Sequence, residues 1–330
     1  MTGNGNKMKT SLLIVLLLSF GLIQLSTAQA QVETISAERP DRAAAKVYLP
    51  AGYGTRTDWP VILLLHGYEE DQAFISRYFF GSDEVILKGT RYILVVPQGL
   101  AEASGHHYHY WNASDACCDF TPTHVDDVKY LTELVDKVAA KYNVNKKRIY
   151  ATGHSNGAFM AHRLACASSE HFAAIAAFAG MTSLQAADCT PTSPVSLLQI
   201  NAVDDGTINF AGDKGFPPLA PYPGANESAQ RWAGLEHCDA NPMAGANAKL
   251  TDNLRFGSVD ATSRFWTGCA DGTEVVQYQI QRYSAPLYHS HTPLLSWNFT
   301  ETVVDFLLSH QKPPSTAVHG AQESDETQGR

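Results

Sequence analysis

Residues Arg148 to Gly157 read Arg-Ile-Tyr-Ala-Thr-Gly-His-Ser-Asn-Gly, which sets one serine between two glycines in a Gly-x-Ser-x-Gly spacing. A short β-branched and aromatic run precedes the motif, and a helix-compatible stretch from Ala158 to Ala165 follows it. That order predicts a sharp strand-to-helix turn. Its glycines remove the Cβ atoms that would collide there, and Ser155 stands clear at the strand tip. The chemistry that suits such a serine is nucleophilic attack, with helix-terminal N–H groups beside it to favour developing negative charge. The bare spacing is common in proteins; a strand before it and a helix after it make it specific.

A serine hydroxyl is too weak an acid to attack at neutral pH, so it needs a base, and the base needs an orienting acid. Past the apolar run Val195 to Ile200 comes Asn-Ala-Val-Asp-Asp-Gly, which puts Asp204 or Asp205 just beyond a strand's carboxyl end. After the last strand-like run and before a helix come His289 and His291, and either could be the base. Attack on a carbonyl also requires donors for the oxyanion. Position predicts the N–H of Asn156, directly after the nucleophile, and that of Tyr68, in the loop after Leu63-Leu-Leu-His-Gly. Gly67 lets that backbone turn toward a substrate.

The elements that must position these groups alternate. Short apolar runs at 60–65, 92–96, 149–152, 172–178, 195–200 and 275–280 read as strands, several covered on both faces as in a parallel sheet. Val125 to Ala140 carries apolar residues at three-to-four spacing and reads as a helix packed on that sheet, and a second helix is expected from about Trp297 to Leu308. The sum is an α/β layer fold. Residues 208–274 are rich in Gly, Pro and Asn and predict a cap-like insertion before the last strand, while the polar residues 313–330 read as a disordered tail.

Lys7 and Lys9, the apolar stretch Leu12 to Ile23 and the small-residue run ending at Ala30 follow the order of a secretory signal. The stretch falls short of the roughly 18 apolar residues of a membrane span. Cleavage after Ala30, a secreted or periplasmic location and no stable membrane anchor are therefore expected. The net charge of −9, made more acidic by losing that leader, and the lack of a basic cluster disfavour a nucleic-acid partner.

Six cysteines in an exported chain predict disulfides. Neighbouring Cys117 and Cys118 are expected to reach separately to Cys166 and Cys189, leaving Cys238 with Cys269. No Cys-x-x-Cys pair suggests zinc, and His106, His107 and His109 lack the carboxylate or cysteine partners of a metal site, so no metal is expected. With Trp111 they read as a polar and aromatic cleft wall. Trp111 could stack on a sugar or aromatic acyl group, or pack in the core; with His66 it is a candidate substrate contact. Asp126 and Asp127 suit a helix start, and His162 lies too far down its helix to serve Ser155 as base.

Leu64-Leu-His-Gly67, Trp111-Asn before Cys117-Cys118, Val125-Asp-Asp-Val, Gly153-His-Ser-Asn-Gly157, Leu164-Ala-Cys166 with Phe172-Ala-Ala-Ile-Ala, and the strand leading to Asp205 occur in one order over about residues 42–310. In that order they resemble the secreted esterase family of poly(3-hydroxybutyrate) depolymerase-like and feruloyl or acetylxylan esterase-like enzymes. The resemblance implies an α/β-hydrolase fold, no cofactor, and an ester substrate, polymeric in kind. Residue by residue it implies Ser155 as nucleophile, Asp205 as acid and His291 as base. Asn201-Ala202 stands where the family commonly has His-Gly, and the tryptophan usual near the base is missing. A serine peptidase of the same fold and a non-catalytic binding protein on a hydrolase scaffold are the rival readings.

Overall fold

The computed structural model describes residues 1, 31–36, 39–81, 83, 91–103, 108–121, 123–215, 220–252, 257–281 and 297–313. His289, His291, His106 and His107, the leader residues 2–30 and the tail after Pro313 lie outside the described residues.

Thirteen strands are described: β1 (Gln31–Ile35), β2 (Ala45–Leu49), β3 (Trp59–Leu65), β4 (Ile93–Val96), β5 (Leu100–Ala101), β6 (His109–Tyr110), β7 (Val144–His154), β8 (Ala174–Phe178), β9 (Ser196–Ala202), β10 (Met243–Ala244), β11 (Ala248–Asp252), β12 (Gly257–Trp266) and β13 (Val275–Ile280). Five α-helices accompany them: α1 (Gln72–Phe80), α2 (Asp127–Lys141), α3 (Asn156–Ala167), α4 (Ala225–Leu235) and α5 (Trp297–Ser309). One sheet runs in the order β1-β2-β4-β3-β7-β8-β9-β13-β12-β10, with β11 paired to β12. The central six, β4 to β13, are parallel, and both flanks are antiparallel.

The continuous apolar runs are explained by helices on both faces. In β3, Val61, Leu63 and Leu65 point into one core with Leu131, Leu134 and Val138 of α2, Phe159 of α3 and Trp232 of α4. Ile62 and Leu64 point into the other, with Ile75 and Phe79 of α1 and Phe299, Val303 and Leu307 of α5. Every residue of β3 is buried, so no polar alternation marks it. The expected strands and the two expected helices form within a few residues of the places read from the sequence.

Two expectations need correction. Residues 208–274 do not stand apart as a cap: α4 packs on the sheet, with Trp232 buried and its Nε1 donating to Val195 O at 2.8 Å, while β10–β12 extend the sheet edge antiparallel. The cysteine pairing differs as well. Cys117 bonds Cys118 across a cis peptide, Cys166 bonds Cys189, and Cys238 bonds Cys269 as expected. Cys166 ends α3 beside the turn that carries Cys189, so each finds a nearer partner than the loop at 117.

Candidate active site

Ser155 joins β7 to α3 with φ 52° and ψ −120°, a conformation that a residue with a Cβ adopts only when its surroundings enforce it. The glycines on either side supply the enforcement. A Cβ on Gly157 would stand 2.2 Å from Leu65 O, and one on Gly153 would stand 2.6 Å from Gly157 C. The backbones of β3, the elbow and α3 therefore pass closer than any side chain allows. Ser155 N donates to Phe178 O at 2.9 Å, Ser155 O accepts from the N–H groups of Ala158 and Phe159, and the serine itself is 8% exposed.

As the first residue of α3, Asn156 has a backbone N–H without a partner in the helix, and it has no acceptor among the described residues. Its side chain is fully used. Oδ1 accepts from Trp111 N at 2.7 Å and Nδ2 donates to Trp111 O at 2.9 Å, pinning the segment after β6 to the helix start.

On the other side lies the loop after β3, where most N–H groups are already committed. Gly67 N donates to Glu70 Oε2 at 2.6 Å, Glu69 N to His109 O at 3.1 Å and Glu70 N to Gly67 O at 3.3 Å. The Tyr68 N–H has no acceptor among the described residues. The Tyr68 hydroxyl donates to Glu102 at 2.6 Å, and burial together with that carboxylate raises its pKa.

Trp111, for which substrate stacking and core packing were both open, is 0% exposed and packs in the core, and His66, a candidate substrate contact, is also 0% exposed. The Trp111 indole donates to His66 O at 2.9 Å and packs on the His66 ring, on Tyr130 and under the Arg42 guanidinium. His66 Nε2 accepts from Gly99 N at 2.8 Å, which makes Nδ1 the protonated nitrogen donating to Gly67 O at 2.7 Å. Burial lowers the His66 pKa to about 4, so the ring is neutral. Both residues are packed inside, beneath the loop after β3.

Across the sheet, Asp205 follows β9, two strands from the elbow. It is buried, with Oδ1 accepting from Thr207 N at 2.8 Å and Ile208 N at 2.9 Å, whereas Asp204 is exposed. Thus Ser155, Asn156, Tyr68 and Asp205 all sit at the carboxyl ends of neighbouring parallel strands. The candidate bases lie outside the described residues. A cavity of about 490 Å³ opens along the second half of α3 at Arg163 and Ala167, roughly 12 Å of helix from Ser155, and Ser155 does not line it.

Reading the sequence did not single out Glu70. Its Oε1 meets His154 Nδ1 at 3.2 Å while Oε2 holds Gly67 N. Burial pushes its pKa up, but the bond and charge of His154 and the Gly67 N–H outweigh it and hold the carboxyl below its usual range. Arg42 was missed too; it pairs with Asp127 at 2.6 Å deep beneath the Trp111 loop. The acidic run Glu69-Glu70-Asp71 before α1 was the available signal for the first; nothing local marks the second.

The model of the family described as "Putative esterase" matches residues 36–263, more than half the chain. The chain belongs to this esterase family. The matched span includes Glu70, Ser155 and Asp205 and ends before either candidate base. Feruloyl esterase B of Piromyces equi is 26% identical over 166 residues, covering 47% of this chain and 30% of the relative. The bifunctional acetylxylan esterase/xylanase XynS20E of Neocallimastix patriciarum is 19% identical over 252 residues, covering 76% of this chain and 32% of the relative. The chain spans from 30% to 58% of the length of the curated relatives it matches. Among solved structures, the acetyl xylan esterase from Aspergillus awamori superposes with a TM-score of 0.51 at 14% identity, covering 84% of this chain and 99% of that one. That likeness establishes a shared fold, the α/β-hydrolase fold of esterases.

Proposed function

We propose that this esterase-family protein is a serine carboxylic-ester hydrolase acting on ester groups carried by plant polysaccharide, feruloyl or acetyl in kind. One observation carries the reading: Ser155 held at φ 52° on a strand-to-helix turn that has room for no side chain at Gly153 or Gly157. In the reaction, Ser155 Oγ attacks the ester carbonyl while His291 takes its proton and buried Asp205 orients the imidazole. The Asn156 and Tyr68 N–H groups receive the charge on the carbonyl oxygen. The alkoxide leaves with the proton from the imidazolium, and water then attacks the acyl-serine by the same route.

Substrate class is drawn from the names of the relatives, a feruloyl esterase and an acetylxylan esterase, with polyester as the other polymer to test. The leader-like residues 1–30 and the three disulfides support export of a catalytic domain spanning 31–312. Among the described residues, no helix is long and apolar enough to cross a membrane.

The purified protein should release ferulate from feruloylated arabinoxylan or acetate from acetylated xylan, and a fluorophosphonate should label Ser155. Ser155→Ala should lower turnover of p-nitrophenyl acetate by at least 10³-fold, as expected for loss of a triad nucleophile. Retained turnover in that variant, or cleavage of peptides with no ester hydrolysis, sinks the reading.

A further inference from the structure

We propose that Glu70 is a positioning residue for ester hydrolysis: its carboxylate ties the loop bearing the Tyr68 N–H to the strand bearing Ser155. The inference rests on the reading that the Tyr68 and Asn156 N–H groups stabilise the oxyanion. Glu70 itself touches no reacting atom and acts through the two backbones it joins.

Both ends of the tie are next to the chemistry. Oε2 accepts from Gly67 N at 2.6 Å, one residue before Tyr68, and Oε1 meets His154 Nδ1 at 3.2 Å, one residue before Ser155. His154 is itself immobilised, with a side chain 1% exposed and ring neighbours Tyr78 at 5.7 Å and Phe178 at 5.2 Å. A Cβ on Gly67 would stand 3.0 Å from the Glu70 carboxyl carbon, so glycine there lets the carboxylate approach the loop backbone. The carboxyl is mostly buried, and its ionised form is favoured by the partners it joins.

How the tie aims a donor follows from peptide geometry. The Gly67 carbonyl and the Tyr68 N–H belong to one planar trans unit, so fixing one direction fixes the other. That carbonyl accepts from His66 Nδ1 at 2.7 Å and from Glu70 N at 3.3 Å. The Tyr68 N–H must then point the opposite way. Glu70 enters this arrangement twice, through its own N–H on the Gly67 carbonyl and its carboxylate on the Gly67 N–H. Losing the side chain leaves the short turn without its clamp on the nucleophile strand, and the donor loses its aim. One oxyanion donor is typically worth 10²–10³ in kcat, and a misaimed donor forfeits part of that.

The experiment compares wild type, Glu70→Gln and Glu70→Ala on a small ester, together with the affinity of each for a trifluoromethyl ketone that forms a tetrahedral adduct with the serine. Glu70→Gln, which keeps shape and one acceptor, should lose about tenfold in kcat with KM within twofold, and Glu70→Ala about 10²-fold. Ketone affinity should fall in step with kcat/KM. A structural role alone would instead lower the unfolding midpoint and leave kcat per folded site unchanged. If the Glu70 variants do not fold, His154→Gln, which can still donate to Glu70, should keep several-fold more kcat than His154→Leu. Wild-type kcat in folded Glu70→Gln, or a loss confined to KM, overturns the proposal. Wild-type protein without esterase turnover would instead refute the functional reading beneath it.

Discussion

Gly157 faces Leu65 O at a distance that leaves no space for a methyl group, and the nearby atoms are backbone, which cannot swing aside. Gly157→Ala should therefore destabilise the protein by about 2 kcal/mol or more and displace the Ser155 turn. Urea unfolding and fluorophosphonate labelling rate would report the two effects separately. Gly206, where a Cβ meets nothing within 4 Å, is the matched control. The buried histidines give a second residue-level expectation. Burial lowers both His66 and His162 to about 4, and His162 Nε2 bonds Gln199 at 2.9 Å. Below about pH 6.5 the unfolded chain takes up protons that the folded one refuses until about pH 4, so stability is full above that window and falls as the pH drops through it. The loss should be on the order of 3 kcal/mol per histidine, and His162→Gln should flatten the slope in denaturation curves between pH 7 and 4.5.

At the level of elements, the start of α2 matters beyond its own helix. Asp126 caps it by accepting from Lys129 N at 2.9 Å, and Asp127, next in line, turns inward to Arg42 and accepts from Asn112 N at 2.7 Å through its other oxygen. Burial pushes the Asp127 carboxyl up against the pull of Arg42. The pair thus fastens the segment before β2, the start of α2 and the Trp111-Asn112 segment that grips Asn156. Arg42→Ala would leave a buried carboxylate uncompensated and should cost 3–5 kcal/mol, read as a drop in the denaturant midpoint. Expecting carboxylates at this helix start was sound from position alone. The inward turn of the second was not legible, because its partner lies 85 residues earlier in the chain. Similarly, the parallel strands were readable since burial on both faces writes unbroken apolar runs. The edge strands β10–β12 carry mixed polarity, and α4 hides in a Gly- and Pro-rich neighbourhood.

For the molecule as a whole, two of the disulfides join segments that lie apart in the chain. Cys166–Cys189 joins the end of α3 to the segment leading into β9 across a separation of 23 residues. Replacing both by serine should lower stability by roughly 3 kcal/mol through the freed unfolded chain, visible as a lower thermal midpoint with Ser155 still labelled by fluorophosphonate. Cys238–Cys269 closes 31 residues spanning the end of α4 and β10–β12, fixing that antiparallel extension to the body of the sheet. The parallel strands share one direction, which gathers the elbow, the loop after β3 and Asp205 at one edge although they are distant in sequence.

The sequence by itself determined what is local: the glycine-serine-glycine turn, the strand and helix around it, the cap of α2 and the apolar runs of the core. Each follows from steric or solvation demands felt within a few residues. Only the tertiary structure decided which cysteines meet, that Trp111 and His66 are buried, and that Glu70 reaches a histidine 84 residues away. Those outcomes depend on which backbones are brought within bonding distance once the sheet is assembled.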